Sequence, residues 1–422
     1  MNQRSKPQQA VILCGGLGTR LRPLTNDLPK PMAPVNGEPF LLHLMRQLAE
    51  QGVARFVLLT GYLSEKIEAY FGDGTTFGWE IAYSVGPIEW DTGRRIWEAR
   101  AQYDSQFLLM YSDNFVQFNL DKLQELHQAQ NTPISLLLAP KAKGNIRISQ
   151  QGLIQAYDNA RNGVQFDYVE IGYMLIDRDR MLAELAMQPD FPNVSFSVLL
   201  KALAAEQKIS GLVVEDSYHS ISDIDRLALM SEYLRPKNIL LIDRDGTINE
   251  KAPPGEYITH WESFRFIAST RAAMAELARH GFDFIVITNQ AGVARKLIEP
   301  ENLEDIHSKM TLELAKDGIN ILKIYVSPHH WDEKSPMRKP EPGMFFQAAR
   351  DFKLRMDRCL YVGDDERDCE AARNAGCGMV FLSNDVSLAG SAGHAQPFFQ
   401  SQTLCDQVDS IRQCYSNWDE QS

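Results

Sequence analysis

Two aspartates separated by one residue stand directly after an apolar run in the middle of the chain. The stretch 238–247 reads NILLIDRDGT, which puts Asp243 and Asp245 at the end of a predicted buried strand. Both carboxylates project toward one region once the chain leaves the sheet, so the first can act as a nucleophile and the second as an acid or base. The pattern is specific because three further motifs follow in order: TNQ at 288–290, RKP at 338–340 and GDDERD at 363–368.

A second candidate site lies near the N-terminus, where the run AVIL ends in a glycine-rich loop. The loop reads CGGLGTRLRPLT and is followed at 29–31 by PKP. Glycines after a strand let backbone N–H groups approach a phosphate closely, whereas a Cβ would block that approach. Arg20 and Lys30 add fixed positive charge. The loop has neither the GxGxxG form of dinucleotide folds nor the GK[ST] ending of a P-loop.

The elements that must position these motifs alternate between strand-like and helical patterns. Apolar β-rich runs such as FVLLTG at 56–61 and FDFIVITNQ at 282–290 are separated by helical stretches such as FLLHLMRQLAEQG at 40–52. This alternation predicts α/β domains with mostly parallel sheets that are covered on both faces. Ligands bind such sheets beyond the carboxyl ends of their strands, which is where the polar motifs fall.

The length of 422 residues predicts two or three domains. A helical pattern stops in SEYLRPKN at 231–238, where Pro236 disfavours helix continuation. We therefore expect one domain at 1–234 and a second at 238–385. Residues 386–422 are rich in Ser, Gln, Ala and Gly and are expected to form a tail without an assigned role.

Composition and charge restrict the classes of partner. The balance of 43 Lys+Arg against 55 Asp+Glu gives a net charge of −12, which argues against nucleic acid and anionic membranes as partners. The sequence contains no run of about 18 apolar residues, the length that a membrane-spanning helix needs, so we expect no membrane span. Six scattered cysteines without a CxxC motif indicate reduced thiols, so we expect a cytoplasmic protein. The sequence leaves open whether the protein forms a homo-oligomer.

The glycine loop and the trailing PKP together resemble the signature GGxGTRLxPLT…PKP of the sugar-phosphate nucleotidyltransferase family. The resemblance covers roughly residues 8–232 and implies a Rossmann-like mixed sheet. It also implies transfer of a nucleotide from a nucleoside triphosphate to a sugar 1-phosphate, with Arg20 stabilising the departing pyrophosphate and Lys30 contacting phosphate. The nucleotide-binding residues that it implies are Leu13, Gly15, Gly16, Gly18, Thr19 and Arg20.

The same resemblance implies a magnesium site built from two aspartates. Asp113, in the strand-end motif YSDN, matches the first magnesium-binding aspartate of the family. Asp223, in SISDID, stands where the family has its second. Asp225 replaces the glycine that is usual there, and nearby Asp216 is an alternative ligand.

Three segments that face the sugar and the base depart from the family pattern or match it only in part. EWDTGRRIW at 89–97 stands where a GTAG-like turn is common, and AYDNARNG at 156–163 lacks the usual sugar-phosphate lysine, for which Arg161 is a possible replacement. In YVEIGYMLID, Glu170 fits a contact to a sugar hydroxyl and Gly172 fits a close-approach glycine. The acceptor of the nucleotide is therefore left open.

The motifs of the second half match the four motifs of the haloacid-dehalogenase-type phosphatase superfamily. DRDGTIN, ITNQAGVAR and RKPEPGM resemble its histidinol-phosphate and heptose-bisphosphate phosphatase branch, over about residues 238–385. The resemblance implies a Rossmannoid domain in which Asp243 attacks phosphorus and Asp245 protonates the leaving oxygen and then activates water. The residues that it implies for phosphate binding are Thr288, Asn289, Arg338 and Lys339.

The phosphatase resemblance also implies Mg²⁺, held by Asp243, Asp364 and the backbone carbonyl of Asp245. Asp368, and after it Asp365, are alternatives to Asp364. A carboxylate nucleophile needs such an ion because it would otherwise not readily approach a phosphate dianion.

Two structural features, a large cap domain and a structural zinc site, are not expected in this chain. About 45 residues separate Asp243 from Thr288, and one loop, one helix and one strand account for nearly all of them, so no large cap domain fits. Relatives often carry a zinc loop, but the segment around His329 and His330 contains no cysteine. We expect no structural zinc.

The two resemblances together predict a bifunctional enzyme. The C-terminal domain would remove one phosphate from a sugar bisphosphate, such as a heptose 1,7-bisphosphate, and the N-terminal domain would transfer a nucleotide, with GTP favoured, to the sugar 1-phosphate. Two alternatives remain: the same chemistries on another sugar or polyol phosphate with CTP or another nucleotide, or a phosphatase with a non-catalytic nucleotide-sugar-binding domain.

Overall fold

The computed structural model describes residues 6–158, 166–214, 218–253, 255–383 and 397–420. The chain divides into two compact units, Met1–Glu232 and Tyr233–Ser422. This division lies within a few residues of the boundary that Pro236 predicts. Arg161 and Asp216, two alternatives of the sequence analysis, lie outside the described residues. None of the described helices is long and apolar enough to cross a membrane.

The first unit is built on a mixed nine-stranded sheet. Its path runs β10-β9-β11-β6-β1-β4-β5, and β8 and β12 extend it through β11. The strands are β1 (Gln9–Leu13), β2 (Pro34–Val35), β3 (Glu38–Pro39), β4 (Arg55–Thr60), β5 (Glu80–Val85), β6 (Gln106–Tyr111), β7 (Asn114–Phe115), β8 (Ile134–Pro140), β9 (Ile146–Ile148), β10 (Ile154–Tyr157), β11 (Tyr168–Asp177), β12 (Ile209–Val213) and β13 (His219–Ser220). The helices are α1 (Phe40–Ala49), α2 (Ser64–Phe71), α3 (Thr92–Glu98), α4 (Leu120–Gln130), α5 (Arg178–Ala186), α6 (Phe196–Ala205) and α7 (Ile224–Leu234).

Parallel and antiparallel pairing are divided across this sheet. β1 lies between β4 and β6 and runs parallel to both, so the glycine loop after β1 and the YSDN motif after β6 leave the sheet at the same edge. β11 runs antiparallel to β6 and β8. The predicted α/β fold with a mixed first sheet is confirmed.

The second unit is built on a six-stranded sheet in which all pairs are parallel, in the order β16-β15-β14-β17-β18-β19. The strands are β14 (Ile239–Ile242), β15 (Asp283–Asn289), β16 (Ile321–Ser327), β17 (Leu360–Gly363), β18 (Gly378–Leu382) and β19 (Phe398–Ser401). The helices are α8 (Ala268–Arg279), α9 (Pro300–Ala315), α10 (Gly343–Phe352), α11 (Glu366–Ala375) and α12 (Val408–Glu420).

Both faces of this second sheet are covered, as the continuous apolar runs predict. Ile239 and Leu241 pack in one core cluster, whereas Leu240 and Ile242 pack in another on the opposite face. Between Asp243 and the end of β15 the described residues form loops, one short turn and α8. These elements agree with the prediction that the segment between Asp243 and Thr288 holds no large cap domain.

The C-terminal segment differs from the expectation of a tail beyond residue 385. β19 pairs in parallel with β18 and becomes the edge strand of the second sheet. Leu404, Ile411 and Tyr415 are buried in the core cluster that also contains Leu240. The second unit therefore extends to α12, because a few apolar residues in a Ser- and Gln-rich segment complete its core.

The Tyr415 hydroxyl attaches α12 to the central strands. It donates to the carbonyl of Ile239 at 2.6 Å and accepts from the backbone N–H of Leu360 at 3.2 Å. Tyr415→Phe should lower the free energy of unfolding by about 1–3 kcal/mol, because two buried backbone groups lose their partner. Urea denaturation followed by circular dichroism measures this change. Tyr257→Phe, which removes a hydroxyl that Arg295 contacts near the surface, is the control and should change it by less than about 0.5 kcal/mol.

Candidate functional site

The glycine loop of the first unit turns away from the sheet immediately after β1. Gly18 adopts φ +60°, and a Cβ there would lie 2.7 Å from the Cβ of Lys30, so the turn requires glycine. A Cβ at Gly15 would lie 2.6 Å from the guanidinium of Arg95. The loop backbone is therefore packed closely against two cationic side chains.

Lys30 and Asp113 form an ion pair at the carboxyl edge of the first sheet. The Lys30 Nζ lies 2.7 Å from Oδ2 of Asp113. The glycine loop, Arg20, Lys30 and Asp113 all line one cavity of about 440 Å³. This volume suits a ligand of nucleotide size. The structure thus brings together the predicted nucleotide-binding loop and the first predicted magnesium ligand.

Asp223 is brought near this edge by a short two-stranded ribbon. β7 and β13 pair next to Asp113, and the N–H of Ile221 donates to the backbone carbonyl of Asp113 at 3.0 Å. Asp223 itself accepts from the N–H of Arg226 at 2.9 Å at the start of α7. This backbone hydrogen bond is the main reason why the pKa of Asp223 lies below its ordinary value. Asp223 therefore caps a helix in the structure, and its role as a metal ligand stays a prediction.

Of the two predicted sugar-binding residues, Gly172 lies against Tyr111, which lines the cavity. Gly172 adopts φ +79°, and a Cβ there would lie 2.6 Å from the Tyr111 ring. The close approach that this glycine permits is therefore to an aromatic side chain. The Glu170 carboxylate accepts a hydrogen bond from the Tyr157 hydroxyl at 2.9 Å. Contacts of Glu170 and Gly172 to a sugar stay predictions.

Arg95 is a residue of this site that the motifs do not predict. Its side chain is buried and lines the cavity. The guanidinium donates to four backbone carbonyls, those of Thr60, Gly86, Pro87 and Trp90, at 2.6–3.3 Å. Burial lowers the pKa of Arg95. Among the described residues no carboxylate contacts it, so a fixed positive charge lies beneath the glycine loop.

In the second unit, Asp243 and Lys339 form a buried ion pair at the end of β14. The Lys339 Nζ lies 2.7 Å from Oδ1 of Asp243 and 2.8 Å from Oδ1 of Asp368, and it also donates to the Tyr361 hydroxyl at 2.6 Å. Burial raises the pKa of Asp243 to about 7, although Lys339 opposes the shift. Burial alone would lower the pKa of Lys339, but the two carboxylates raise it.

Three carboxylates converge beside this pair. One oxygen each of Asp243, Asp364 and Asp368 lies within 4.8 Å of the others. The Asp368 carboxylate is buried and accepts from the N–H groups of Asp364 and Asp365 at 3.2 Å, so it fixes the loop between β17 and α11. Asp364 is more accessible and contacts the Nζ of Lys251 at 2.6 Å.

Asp365 is one of the two alternatives to Asp364 as a metal ligand, and it does not belong to this group of three carboxylates. Its carboxylate accepts from the backbone and the side chain of Arg367 and caps α11. The donor set of Asp243 and Asp364 fits Mg²⁺, because converging carboxylate oxygens are the hard ligands that this ion takes. Asp368 orders the loop that carries Asp364.

Asp245 lies at the same strand end, held by three side chains. Two of them are Asn249 and Gln290, whose amide nitrogens donate to the carboxylate at 2.9 and 2.7 Å. Burial would raise the pKa of Asp245, but the charge of Arg244 and these hydrogen bonds lower it. The same Gln290 amide donates to the Thr288 hydroxyl at 2.9 Å, which places Thr288 in this site.

Asn289 and Arg338 take positions that the motifs do not specify. The Asn289 side chain donates to the carbonyl of Lys339 at 3.0 Å and accepts from its N–H at 3.1 Å. Because both ends of the amide are used in this way, Asn289 positions Lys339 and does not offer a phosphate contact in this structure. Arg338 donates to the carbonyl of His329 at 3.2 Å and is half-buried.

The histidines considered for zinc have other contacts. His330 caps a short turn and its ring centroid lies 3.7 Å from that of Trp331, while His329 contacts the hydroxyl of Ser327. Within the described ranges, the aspartate cluster is the one group of three or more His, Cys, Asp or Glu residues arranged to hold a metal. The expectation of no structural zinc stays a prediction.

Comparison with known families divides the chain in the same way. The sequence pattern of a family described as nucleotidyl transferase matches residues 9–164, and that of a family described as polynucleotide kinase 3 phosphatase matches residues 238–394. Both matches contain the strand-end motifs around which the two sites are built.

Curated relatives match either half of the chain. A D-glycero-alpha-D-manno-heptose 1-phosphate guanylyltransferase of Campylobacter jejuni is 29% identical over 213 residues, which are 50% of this chain and 94% of the relative. A D-glycero-beta-D-manno-heptose-1,7-bisphosphate 7-phosphatase of Yersinia pestis is 31% identical over 183 residues, 42% of this chain and 96% of the relative. A probable glucose-1-phosphate cytidylyltransferase of Bacillus subtilis is 34% identical over 171 residues, 36% of this chain; the chain spans 65% of its length.

Proposed function

We propose that the protein is a bifunctional enzyme of nucleotide-sugar synthesis. The C-terminal half of the chain belongs to the phosphatase family of the heptose-bisphosphate 7-phosphatases, and the N-terminal half carries a nucleotidyl transferase domain. It removes the 7-phosphate from a heptose 1,7-bisphosphate and transfers a guanylyl group from GTP to the heptose 1-phosphate. The observation that supports this proposal is that each unit carries a lysine–aspartate ion pair at the end of a strand, Lys339 with Asp243 in one and Lys30 with Asp113 in the other.

The residues of the first unit are suited to bring two anions together. A sugar phosphate oxygen attacks the α-phosphorus of the nucleotide, and pyrophosphate leaves. Two unit charges 4 Å apart repel by about 4 kcal/mol at an effective dielectric constant near 20. Lys30 and Arg20, which line the cavity, offset this repulsion at the phosphates, and the buried charge of Arg95 supports the loop that holds them.

The residues of the second unit are suited to transfer a phosphoryl group in two steps. Asp243 attacks the phosphorus and becomes an aspartyl phosphate, while Asp245 gives a proton to the leaving sugar oxygen. Water then attacks, with Asp245 as the base, and inorganic phosphate leaves. Lys339 neutralises the phosphoryl oxygens at Asp243, and the Thr288 hydroxyl offers them a further hydrogen bond.

We propose Mg²⁺ as the ion of both sites. Asp243, Asp364 and the carbonyl of Asp245 would hold it in the second unit, and Asp113 and Asp223 in the first. When bound, it would neutralise phosphate charge and align the reacting groups. We place both reactions in the cytoplasm because all six cysteines are free thiols.

The two reactions form a sequence only if both units accept the same anomer. Hydrolysis at position 7 leaves the configuration at C1 unchanged, whereas the names of the two relatives specify different anomers, α for the transferase and β for the phosphatase. The transfer reaction joins the nucleotide to the phosphate on C1 itself, so it has the stronger reason to discriminate there. We therefore propose the α-anomer for both steps.

The preference for GTP is supported by Trp90 and Asp91, which line the first cavity together with the glycine loop. The guanidinium of Arg94 lies 4.7 Å from the Trp90 ring centroid and holds the ring from one side. The backbone of Asp91 is fixed by the Asn193 side chain at 2.9 Å, and its carboxylate makes no hydrogen bond or ion pair to the described residues. Guanine alone offers two adjacent N–H donors to such a carboxylate on its pairing edge.

Asp91→Asn should lower kcat/KM for GTP by about 10- to 100-fold, because a bidentate contact to a base is worth roughly 1–3 kcal/mol. The rates with ATP and CTP should change by less than about threefold, since neither base presents that donor pair. Pyrophosphate release measures all three. Glu89→Gln, a neutralisation of the neighbouring exposed carboxylate, is the control; equal losses with every nucleotide would exclude Asp91 as a base contact.

Two other functions remain candidates for specific reasons. The similarity to a cytidylyltransferase leaves CTP and another sugar or polyol phosphate possible. The helix-capping role of Asp223 is compatible with a first unit that binds a nucleotide sugar without catalysis.

A matrix of nucleotides against sugar phosphates separates these functions. The full-length protein is incubated with Mg²⁺, each of GTP, CTP, ATP and UTP, and the α- or β-anomer of manno-heptose 1-phosphate or glucose 1-phosphate. Pyrophosphate is expected with GTP and the α-heptose phosphate. Reaction of a different pair would remove the heptose assignment, and a lack of pyrophosphate with every pair would favour the non-catalytic domain.

Removal of Mg²⁺ with EDTA should stop both activities, and added Mg²⁺ should restore them.

A further inference from the structure

We infer that Arg244 and His307 position the carboxylate of Asp245 and thereby control both proton transfers of the phosphatase. The inference rests on the proposed function of the second unit and gives roles to two residues that the family resemblance left unassigned, Arg244 within the first motif and His307 outside all four. Arg244 separates the two aspartates in the sequence, but its side chain is only 1% exposed. A charged side chain is buried to this degree only when it is paired.

The guanidinium of Arg244 grips Asp245 with two nitrogens. Nη2 lies 2.8 Å from Oδ2 and 2.9 Å from Oδ1, and Nε lies 3.2 Å from Oδ1. A forked contact of this kind fixes the plane of the carboxylate as well as its position. Asn249 and Gln290 add one neutral hydrogen bond each, so Arg244 supplies the charge and most of the contacts.

His307 holds the other side of the same guanidinium. It lies on α9, and its Nε2 is 2.9 Å from Nη1 of Arg244. A guanidinium only donates, so Nε2 must accept, which requires a neutral imidazole with its proton on Nδ1. Burial and the charge of Arg244 lower the pKa of His307 to about 3, in agreement with a neutral ring.

The contacts therefore run in series from a packed helix to the acid–base group. α9 is anchored by the buried residues Ile306 and Met310 on either side of His307. The carbonyl of Arg244 accepts from the N–H groups of Ile248 and Asn249 at 2.8 and 3.0 Å, which ties the same residue into the loop. Loss of the imidazole would leave Nη1 without its side-chain acceptor and free the guanidinium to rotate away from Asp245.

The two chemical steps depend on Asp245 in different ways. In the first step a bond forms between Asp243 and phosphorus, the bond from phosphorus to the leaving oxygen breaks, and that oxygen takes the proton of Asp245. In the second step water attacks phosphorus, gives its proton to Asp245 and releases Asp243 and inorganic phosphate. p-Nitrophenolate leaves without a proton, so with p-nitrophenyl phosphate only the second step needs Asp245.

The test compares His307→Leu with His307→Gln in the full-length protein. His307→Leu should lower kcat for p-nitrophenyl phosphate by roughly 10- to 100-fold, because a misplaced acid–base group loses most of its contribution to the second step. KM should fall together with kcat and leave kcat/KM within about threefold of the wild type, because the first step does not need Asp245 with this substrate. Rapid mixing should show a burst of one p-nitrophenolate per protein, since the aspartyl phosphate accumulates. His307→Gln offers an amide oxygen to Arg244 and should return kcat to within about threefold of the wild type.

A purely structural role predicts a different result. Partial unfolding would lower the burst below one equivalent, and nucleotidyl transfer by the first unit reports that the protein is otherwise intact. If His307→Leu folds poorly, Arg244→Lys serves as the second variant. It keeps the positive charge but loses the forked contact to Asp245, and it should show the same burst. Wild-type kcat in both variants, or lost activity without a full burst in both, overturns the inference. Absence of phosphatase activity in the wild type would instead overturn the proposed function.

Discussion

Asp243→Asn should lower phosphate release from a sugar bisphosphate at least about a thousandfold, because the amide cannot form the covalent intermediate. The substitution keeps the shape of a side chain that is buried against Lys339, so the fold should survive. Nucleotidyl transfer to the sugar 1-phosphate should be unchanged, since its residues belong to the other unit. Inorganic phosphate and pyrophosphate, measured on one preparation, report the two activities separately.

Asp409→Asn is the matched control for this substitution. Asp409 lies on α12 with its side chain 95% exposed, and its neutralisation should leave both activities within about twofold. Asp243→Ala excludes slow deamidation of the asparagine as a source of remaining activity. Phosphate release above one hundredth of the wild-type rate in both Asp243 variants would show that another group is the nucleophile.

The positions of the reacting groups could be predicted because they follow from the strand pattern. An apolar run such as 239–242 must be buried on both faces of a parallel sheet, and its carboxyl end must then carry Asp243 to the edge. The same reasoning places Asp113 after β6 and Thr288 at the end of β15. Motif spacing and sheet topology are sufficient for this level of detail.

The directions of the flanking side chains could not be predicted in the same way. Arg94 and Arg95 are adjacent in α3, yet Arg94 lies over the Trp90 ring and Arg95 is buried beneath the glycine loop. Which of two neighbouring arginines faces inward depends on the rotation of a short helix. Arg244 is a similar case, because a cation beside two aspartates is as consistent with a solvated charge as with a buried pair.

Two further differences arise because composition and motifs describe residue types and not their partners. A Ser- and Gln-rich segment predicts a tail, but three buried residues of 397–420 are enough to complete the second core. Asn289 stands in a motif associated with phosphate, but its amide is used by the backbone of Lys339. In each case the deciding contact is made to a residue distant in the sequence.

Asp113→Ala should lower pyrophosphate release at least about a hundredfold, whichever nucleotide the protein uses. Asp113 lines the first cavity and is held by Lys30 at 2.7 Å, so its removal takes away both a proposed Mg²⁺ ligand and the group that orients this lysine. The Lys30 ammonium would then be free to bind phosphate in unproductive positions. Phosphate release from the sugar bisphosphate should stay at the wild-type rate.

Asp113→Asn separates the two roles of this carboxylate, because an amide oxygen can still accept from Lys30 but is a weaker ligand for a cation. If Asp113 acts mainly through Mg²⁺, the asparagine variant should be nearly as inactive as the alanine variant, and higher Mg²⁺ concentrations should partly restore it. Asp121→Ala, which removes an exposed partner of Lys6, is the control for the charge change. Full transfer activity in Asp113→Ala would mean that this aspartate is not a metal ligand, whereas an inactive wild type would favour a first unit that only binds.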